Sequence, residues 1–196
     1  KEVNFATLGN SATSYEQNIN KNIYAYDTSI GNGTNKTTAN IVGDITFGGN
    51  LNINSNSMLN VSDYDITVDN TLNLASNSTT KFKVYTTDIS AGQAVTNGNS
   101  GSITTDNLNV SSDSKVYIDY EGSWFGAGTY NLITSNSLTG TYTGTEANGL
   151  VSDDSIIDSI VRVNGNNLTL YADRTGGGSY NAEDLYIVKS EIGEDY

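Results

Sequence analysis

The sequence predicts an all-β fold, a right-handed parallel β-helix of about 21 residues per coil, on three observations. The stretch LNINSNSMLNV (51–61) recurs as LNLASNSTTKFKV (72–84) and LNVSSDSKVYI (108–118). Each copy opens Leu-Asn-aliphatic, passes through a Ser-x-Ser spacer and closes on an apolar-x-apolar triplet. Each is preceded by a further triplet, ITF at 45–47, ITV at 66–68 and ITT at 103–105. Leu51 and Leu72 lie 21 positions apart, as do Ile45 and Ile66, which sets the period.

The triplets carry the period-2 signature of strands, with Leu51 and Ile53 on one face and Asn52 on the other. Such short strands cannot bury their apolar sides alone. Stacking the copies places Leu72 between Leu51 and Leu108 and builds a narrow aliphatic column. Leu51, Ile53, Leu59 and Val61 are therefore expected inside, and Asn52 and Asn60 outside. Ser55-Asn56-Ser57 marks the corner. A charge at Leu72 is expected to unfold neighbouring coils, and a change at Asn73 to do little. An antiparallel β-sandwich with Asn/Gly turns is the competing fold, but hairpins do not readily produce matched spacers at a fixed period. The sequence alone does not fix the hand.

Composition agrees with a thin core. Apolar residues make up 36% and charged residues 16% of the 196 residues, both low for a compact domain. Disorder is not the reading, because the apolar residues are grouped in alternating triplets. Pro is absent, so internal strands keep their backbone donors.

From Leu72 to Leu108 the spacing grows to 36, an insertion of 15 residues over the period. The Gly-rich run AGQAVTNGNSGS (91–102) is the expected protrusion. The chain divides into an N-terminal irregular or helical segment (1–40), β-helix coils (41–121), a C-terminal cap (122–174) and a linker with an acidic tail (175–196). Within the first, Tyr15, Ile19, Ile23 and Tyr26 recur at helical spacing, and Ser14 with Gln17 has capping-box form, which predicts a short helix over 14–26. In the cap, strands are expected at 129–134 and 138–143. SIVRVNGNNLTLYADR (159–174) reads as a hairpin turning at Asn164-Gly165-Asn166-Asn167. An antiparallel hairpin would close the open edge of a parallel stack.

The net charge of −13 and the lack of a basic stripe argue against nucleic acid as a partner. Without Cys or His there are no disulfides, no Ser-His-Asp or Cys-His catalysis and none of the common zinc sites. No signal peptide and no apolar run long enough for a transmembrane helix occur in the sequence, so any targeting or anchoring parts are expected outside it.

Parallel β-helices also host glycan lyases and hydrolases, which need clustered carboxylates or a nearby base. The candidates are Asp63 with Asp65, and Asp119 with Glu121. Treating Val61, Val84 and Ile118 as equivalent puts Asp119 beside Tyr85 and Ser62, and Asp63 beside Thr86 and Tyr120. Asp65 then falls near Asp88, with no Lys or Arg at these levels. Solvated surface carboxylates are the expected role. Asp153, Asp154 and Asp158, and Asp63, Asp65 and Asp69, lack calcium-loop spacing. Sequons begin at Asn32, Asn35, Asn60, Asn77, Asn109 and Asn167, at a frequency expected by chance in so Asn- and Thr-rich a chain. No catalytic, cofactor-binding or metal-binding residue is assigned. Binding or display remains. Of the 13 tyrosines, Tyr117, Tyr130 and Tyr142 fall in expected strands.

The Leu-Asn-aliphatic coils, followed by GTYNLITSNSLTGTYTG (128–144) and VNGNNLTLYADR (163–174), resemble the end of a bacterial autotransporter passenger. The resemblance covers about residues 41–174 and rests on loose patterns, not catalytic signatures. It implies a secreted β-helix at the outer surface of a Gram-negative cell, acting as adhesin or stalk. It implies an outer-membrane β-barrel translocator in the same full-length chain. It also implies a C-terminal segment, residues 122–174, that aids folding during secretion. The partner expected is a protein or glycan on a host or neighbouring cell. A β-helix carbohydrate-active enzyme, or a phage-type receptor-binding protein, is the alternative function.

Overall fold

The computed structural model describes residues 1–6, 14–85, 99–121, 128–143, 145–146 and 159–172. They form an all-β structure with no helix among them. In chain order the strands are β1 (Glu2–Phe5), β2 (Tyr15–Ile19), β3 (Asp27–Ile30), β4 (Thr37–Ile41), β5 (Ile45–Phe47), β6 (Asn50–Ile53), β7 (Ser57–Ser62) and β8 (Asp65–Leu74). There follow β9 (Thr79–Tyr85), β10 (Asn99–Ser100), β11 (Ser102–Val110), β12 (Lys115–Glu121), β13 (Gly128–Gly140), β14 (Thr145–Glu146), β15 (Ser159–Asn164) and β16 (Asn167–Ala172).

The chain alternates between two sheets. A ten-stranded sheet runs β1-β3-β6-β8-β11-β13-β16-β15-β14, with β5 also on β8. A six-stranded sheet runs β10-β9-β7-β4-β2, with β12 also on β9. Pairing is parallel from β1 to β13 in the first sheet and from β2 to β12 in the second, apart from the short β10. Antiparallel pairing returns where β16 joins β13 and β15 joins β16.

Parallel register turns sequence repeats into vertical columns. Thr28, Leu51, Leu72, Leu108 and Leu138 are successive partners, so the predicted leucine column is present and extends one level further each way. Beside it run Ile30, Ile53, Leu74 and Val110, and then Ile45, Ile66, Ile103, Ile133 and Leu168. Leu51, Leu72 and Leu108 are fully buried. Removing apolar area of this kind from water is the main source of stability.

The corners explain the Ser-x-Ser spacers. Ser57 and Ser78 each donate their backbone N–H three residues back, to the Asn54 and Ala75 carbonyls. In both turns the preceding residue, Asn56 or Asn77, has positive φ (60° and 56°). Asn tolerates that left-handed conformation better than most residues, as the third position of a type II turn requires. The Ser114 N–H likewise donates to the Ser111 carbonyl in the third turn, where the preceding Asp113 keeps negative φ.

Several expectations are corrected. The helix over 14–26 is absent. Residues 15–19 form β2, in which Tyr15 Oη donates to Gln17 Oε1 (2.9 Å) on the same strand side, and Ile19 pairs with Ile41. Ile23 bridges to Phe47, while Tyr24 and Tyr26 are 75% and 71% exposed. The separate strands 129–134 and 138–143 are one strand, β13, ending at Gly140. ITV and LNL are likewise fused in β8. Matched residues are not uniformly 21 apart: bonded partners at successive levels are separated by 23 (Asp27 and Asn50), 21 (Asn52 and Asn73), 36 (Asn73 and Asn109) and 30 (Asn107 and Ser137).

The hairpin expected over 159–174 is β15–β16, turning at Gly165 (φ 61°) and Asn166. Residues 91–98 of the predicted insertion lie outside the described residues. Its return leg, β10, pairs antiparallel with Tyr85 and Val84. Residues 175–196 also lie outside.

Candidate functional site

The outer faces inherit the same vertical order as the core. On the first sheet Asn52, Asn73 and Asn109 are successive register partners. Asn109 Nδ2 donates to Asn73 Oδ1 (2.7 Å), and Asn73 Nδ2 donates to Asn52 Oδ1 (2.7 Å). Asn52 Nδ2 continues to the Thr28 carbonyl (3.4 Å) and Ser29 Oγ (3.5 Å). Identical amides stacked in parallel at about 4.8 Å form such ladders naturally. Asn52 and Asn73 are half-buried, so the ladder is partly shielded from competing water.

The second sheet carries its own ladder. Asn60 Nδ2 donates to Asn40 Oδ1 (3.0 Å), and Asn40 Nδ2 to Asn18 Oδ1 (3.5 Å). Lys81 follows in register with Asn60, and Tyr117 with Lys81. A third column, Thr46, Thr67, Thr104 and Thr134, stands on the outer face of the first sheet. The recurring Leu-Asn and Ile-Thr dipeptides were the sequence signal for the first and third of these.

Among the described residues the carboxylate candidates are not gathered into one cluster. Asp65 Oδ1 accepts from Ser102 Oγ (2.7 Å), and the Asp65 N–H donates to Asp44 Oδ1 (2.9 Å). Asp63 Oδ1 accepts from Ser62 Oγ (3.0 Å), and Asp69 is exposed. Among the described residues no three His, Cys, Asp or Glu side chains are grouped to hold a metal ion. Asp88, Asp153, Asp154 and Asp158 lie outside the described residues.

Asp119 requires correction, because it has a cationic partner. Lys81 Nζ lies 2.7 Å from Asp119 Oδ2 and 5.4 Å from the centre of the Tyr117 ring. The expected equivalence of Val61, Val84 and Ile118 fails by one side-chain pair. Ile118 pairs with Phe82, and Tyr120 with Val84. The register between β7 and β9 shifts between Asn60 and Ser62, where Ser62 takes positive φ (57°). Independently of that bulge, β12 pairs with the other edge of β9 in unbroken register from Lys115 with Thr79 to Glu121 with Tyr85, which sets Asp119 beside Lys83, one alternate residue from Lys81.

An open groove of ≈ 340 Å³ runs across the strands of the first sheet beside the asparagine ladder. Asn52 and Asn54, Asn73 and Ala75, Asn109 and Ser111, and Thr139 contribute to it from successive levels. Among the described residues no Asp, Glu, Lys or Arg lines it. Parallel in-register strands thus carry polar outer columns that repeat from level to level. No family model matches this chain, and neither a curated protein nor a solved structure matches it.

Proposed function

We propose that this chain is the exposed passenger region of a bacterial autotransporter, acting as adhesin or stalk on the outer face of a Gram-negative cell. In this reading the fold is a right-handed parallel β-helix with coils near 21 residues. The observation that carries it is the alternation of one chain between two parallel sheets, level on level, ending in an antiparallel cap. A stack of this kind extends by repetition and holds its surface rigidly, which suits display of contacts away from a membrane. Its polar outer ladders favour contact with a hydrogen-bonding surface, a protein or glycan of another cell, without catalysis.

The quoted C-terminal stretches supply a second support. GTYNLITSNSLTG makes up β13, and VNGNNLTLYA lies in β15 and β16. The β15–β16 hairpin is local in sequence and needs little loop-closure entropy to form. A segment that folds early at this end would template the parallel levels and aid folding during secretion. The β-barrel translocator belongs to the same full-length chain in this proposal.

Labelling intact cells of the native host with a membrane-impermeant reagent tests the proposal. The protein should be labelled and be removable by added protease. Labelling only after lysis would refute surface display. Deleting residues 122–174 from the full-length protein should abolish display of the remainder, and normal display would rule out the folding role.

A further inference from the structure

We propose that the groove along Asn52, Asn73 and Asn109 binds an uncharged, linear, β-linked glycan lying parallel to the stacking direction. This deepens the adhesive reading and rests on it for the surface that presents the glycan. The first argument is one of spacing. The groove crosses the strands, so its lining repeats at each level, about every 4.8 Å. An extended β-1,4-linked chain of pyranose sugars rises by nearly this distance per ring, so successive rings meet equivalent amides. A peptide laid along the same path, at about 3.3 Å per residue, falls out of step.

The second argument is one of unused donors. Each Asn amide carries two N–H groups. Asn73 and Asn109 each use one along the ladder, at 2.7 Å, and the described residues offer no partner for the other. Thr139, the register partner of Asn109, is exposed at the end of this row. Amides and hydroxyls both donate and accept, which matches sugar hydroxyls and ring oxygens. Charge narrows the class. Among the described residues no ionisable side chain lines the groove, and a net charge of −13 repels sulfated or uronic polymers.

Titration calorimetry of the purified chain with chito-oligosaccharides, cello-oligosaccharides and a sulfated hexasaccharide tests this. A neutral hexasaccharide of one series should bind at least about tenfold more tightly than its disaccharide, because it spans more levels. The sulfated hexasaccharide should not bind. Ser111→Tyr should fill the groove and abolish binding with an unchanged urea midpoint. If Ser111→Tyr does not fold, Thr139→Arg at the exposed end should weaken binding instead. No binding of either neutral hexasaccharide overturns the proposal, as does equal affinity for disaccharide and hexasaccharide, preferred binding of the sulfated sugar, or binding that survives the folded groove variant. Intact-cell labelling is independent of this titration, so failure of the glycan site and failure of surface display are distinguishable.

Discussion

Replacing Asn73 by alanine isolates what the outer amide ladder contributes to stability. Asn73 is half-buried and makes two amide–amide bonds, to Asn52 and from Asn109, both 2.7 Å long. A net intramolecular hydrogen bond is worth about 0.5–1.5 kcal/mol, so losing both costs about 1–3 kcal/mol. A half-exposed site lets water reach the orphaned groups of Asn52 and Asn109, which favours the lower part of that range. Even so, the loss is a sizeable share of a typical stability of about 5–15 kcal/mol. Urea unfolding followed by far-UV circular dichroism should show a lower midpoint at unchanged slope. Thr67→Ser, on the same face but exposed and outside any ladder bond, is the control and should stay within about 0.5 kcal/mol. An Asn73→Ala shift no larger than the control would refute the ladder as a stabilising element. The simpler expectation from alternation, that an outward Asn can be changed at little cost, would then stand.

Other substitutions probe other layers of the structure. Leu72→Ala, in the fully buried column between Leu51 and Leu108, should cost about 2–5 kcal/mol in the same unfolding assay. Thr80 is fully buried between Leu59 and Val116, with a hydroxyl that finds no partner, so Thr80→Val should raise stability by about 1 kcal/mol. Asn77→Gly should be near neutral and Asn77→Ala should cost about 1–2 kcal/mol, because the site has positive φ. Gly140→Ala should fold poorly or not at all, since φ is 101° and its Cβ would lie 2.0 Å from the Val110 carbonyl oxygen. A Lys81/Asp119 double-mutant cycle should return a coupling of about 0.2–1 kcal/mol that shrinks with added salt, as both side chains are partly solvated.

The leucine column was readable because Leu51, Leu72 and Leu108 each open the same Leu-Asn-aliphatic triplet, and period-2 alternation leaves those leucines one face. The same dipeptide held the asparagine ladder, yet burial is not written in alternation. Outward residues can be half-covered by their ladder neighbours, and the two amide bonds of Asn73 are not announced by alternation. The register of β12 on β9 is unbroken, and Ile118 lies as far past Ser114 as Phe82 lies past Ser78, so Phe82 and not Val84 was the match the corners offered. The shift between β7 and β9 at Asn60 and Ser62 was not readable, because a bulge adds a residue without changing local composition.

Residues 14–26 misled for a different reason. Tyr15, Ile19, Ile23 and Tyr26 match a helical face by spacing, but neighbouring levels recruit Ile19 and Ile23 to the sheets and leave Tyr26 in solvent. Tertiary pairing overrides a four-residue pattern. In the cap, the turn at Gly165 and Asn166 was clear from Asn-Gly chemistry. The break expected near residues 135–137 was not real, because Ser135 is tied to the β15–β16 turn: its N–H donates to Asn167 Oδ1 (3.0 Å) and its hydroxyl to the Asn166 carbonyl (2.5 Å).

The proposed display surface, the amide ladder and the proposed glycan site all depend on one arrangement, the parallel stacking of the Leu-Asn repeats. Methyl–methyl NOE spectroscopy on Leu-, Ile- and Val-labelled protein reads that arrangement directly. Cross-peaks from Leu72 to both Leu51 and Leu108, and from Ile66 to both Ile45 and Ile103, are the expected result. A Leu72 methyl that contacts neither Leu51 nor Leu108, with cross-peaks instead following antiparallel hairpins between consecutive strands, would contradict it.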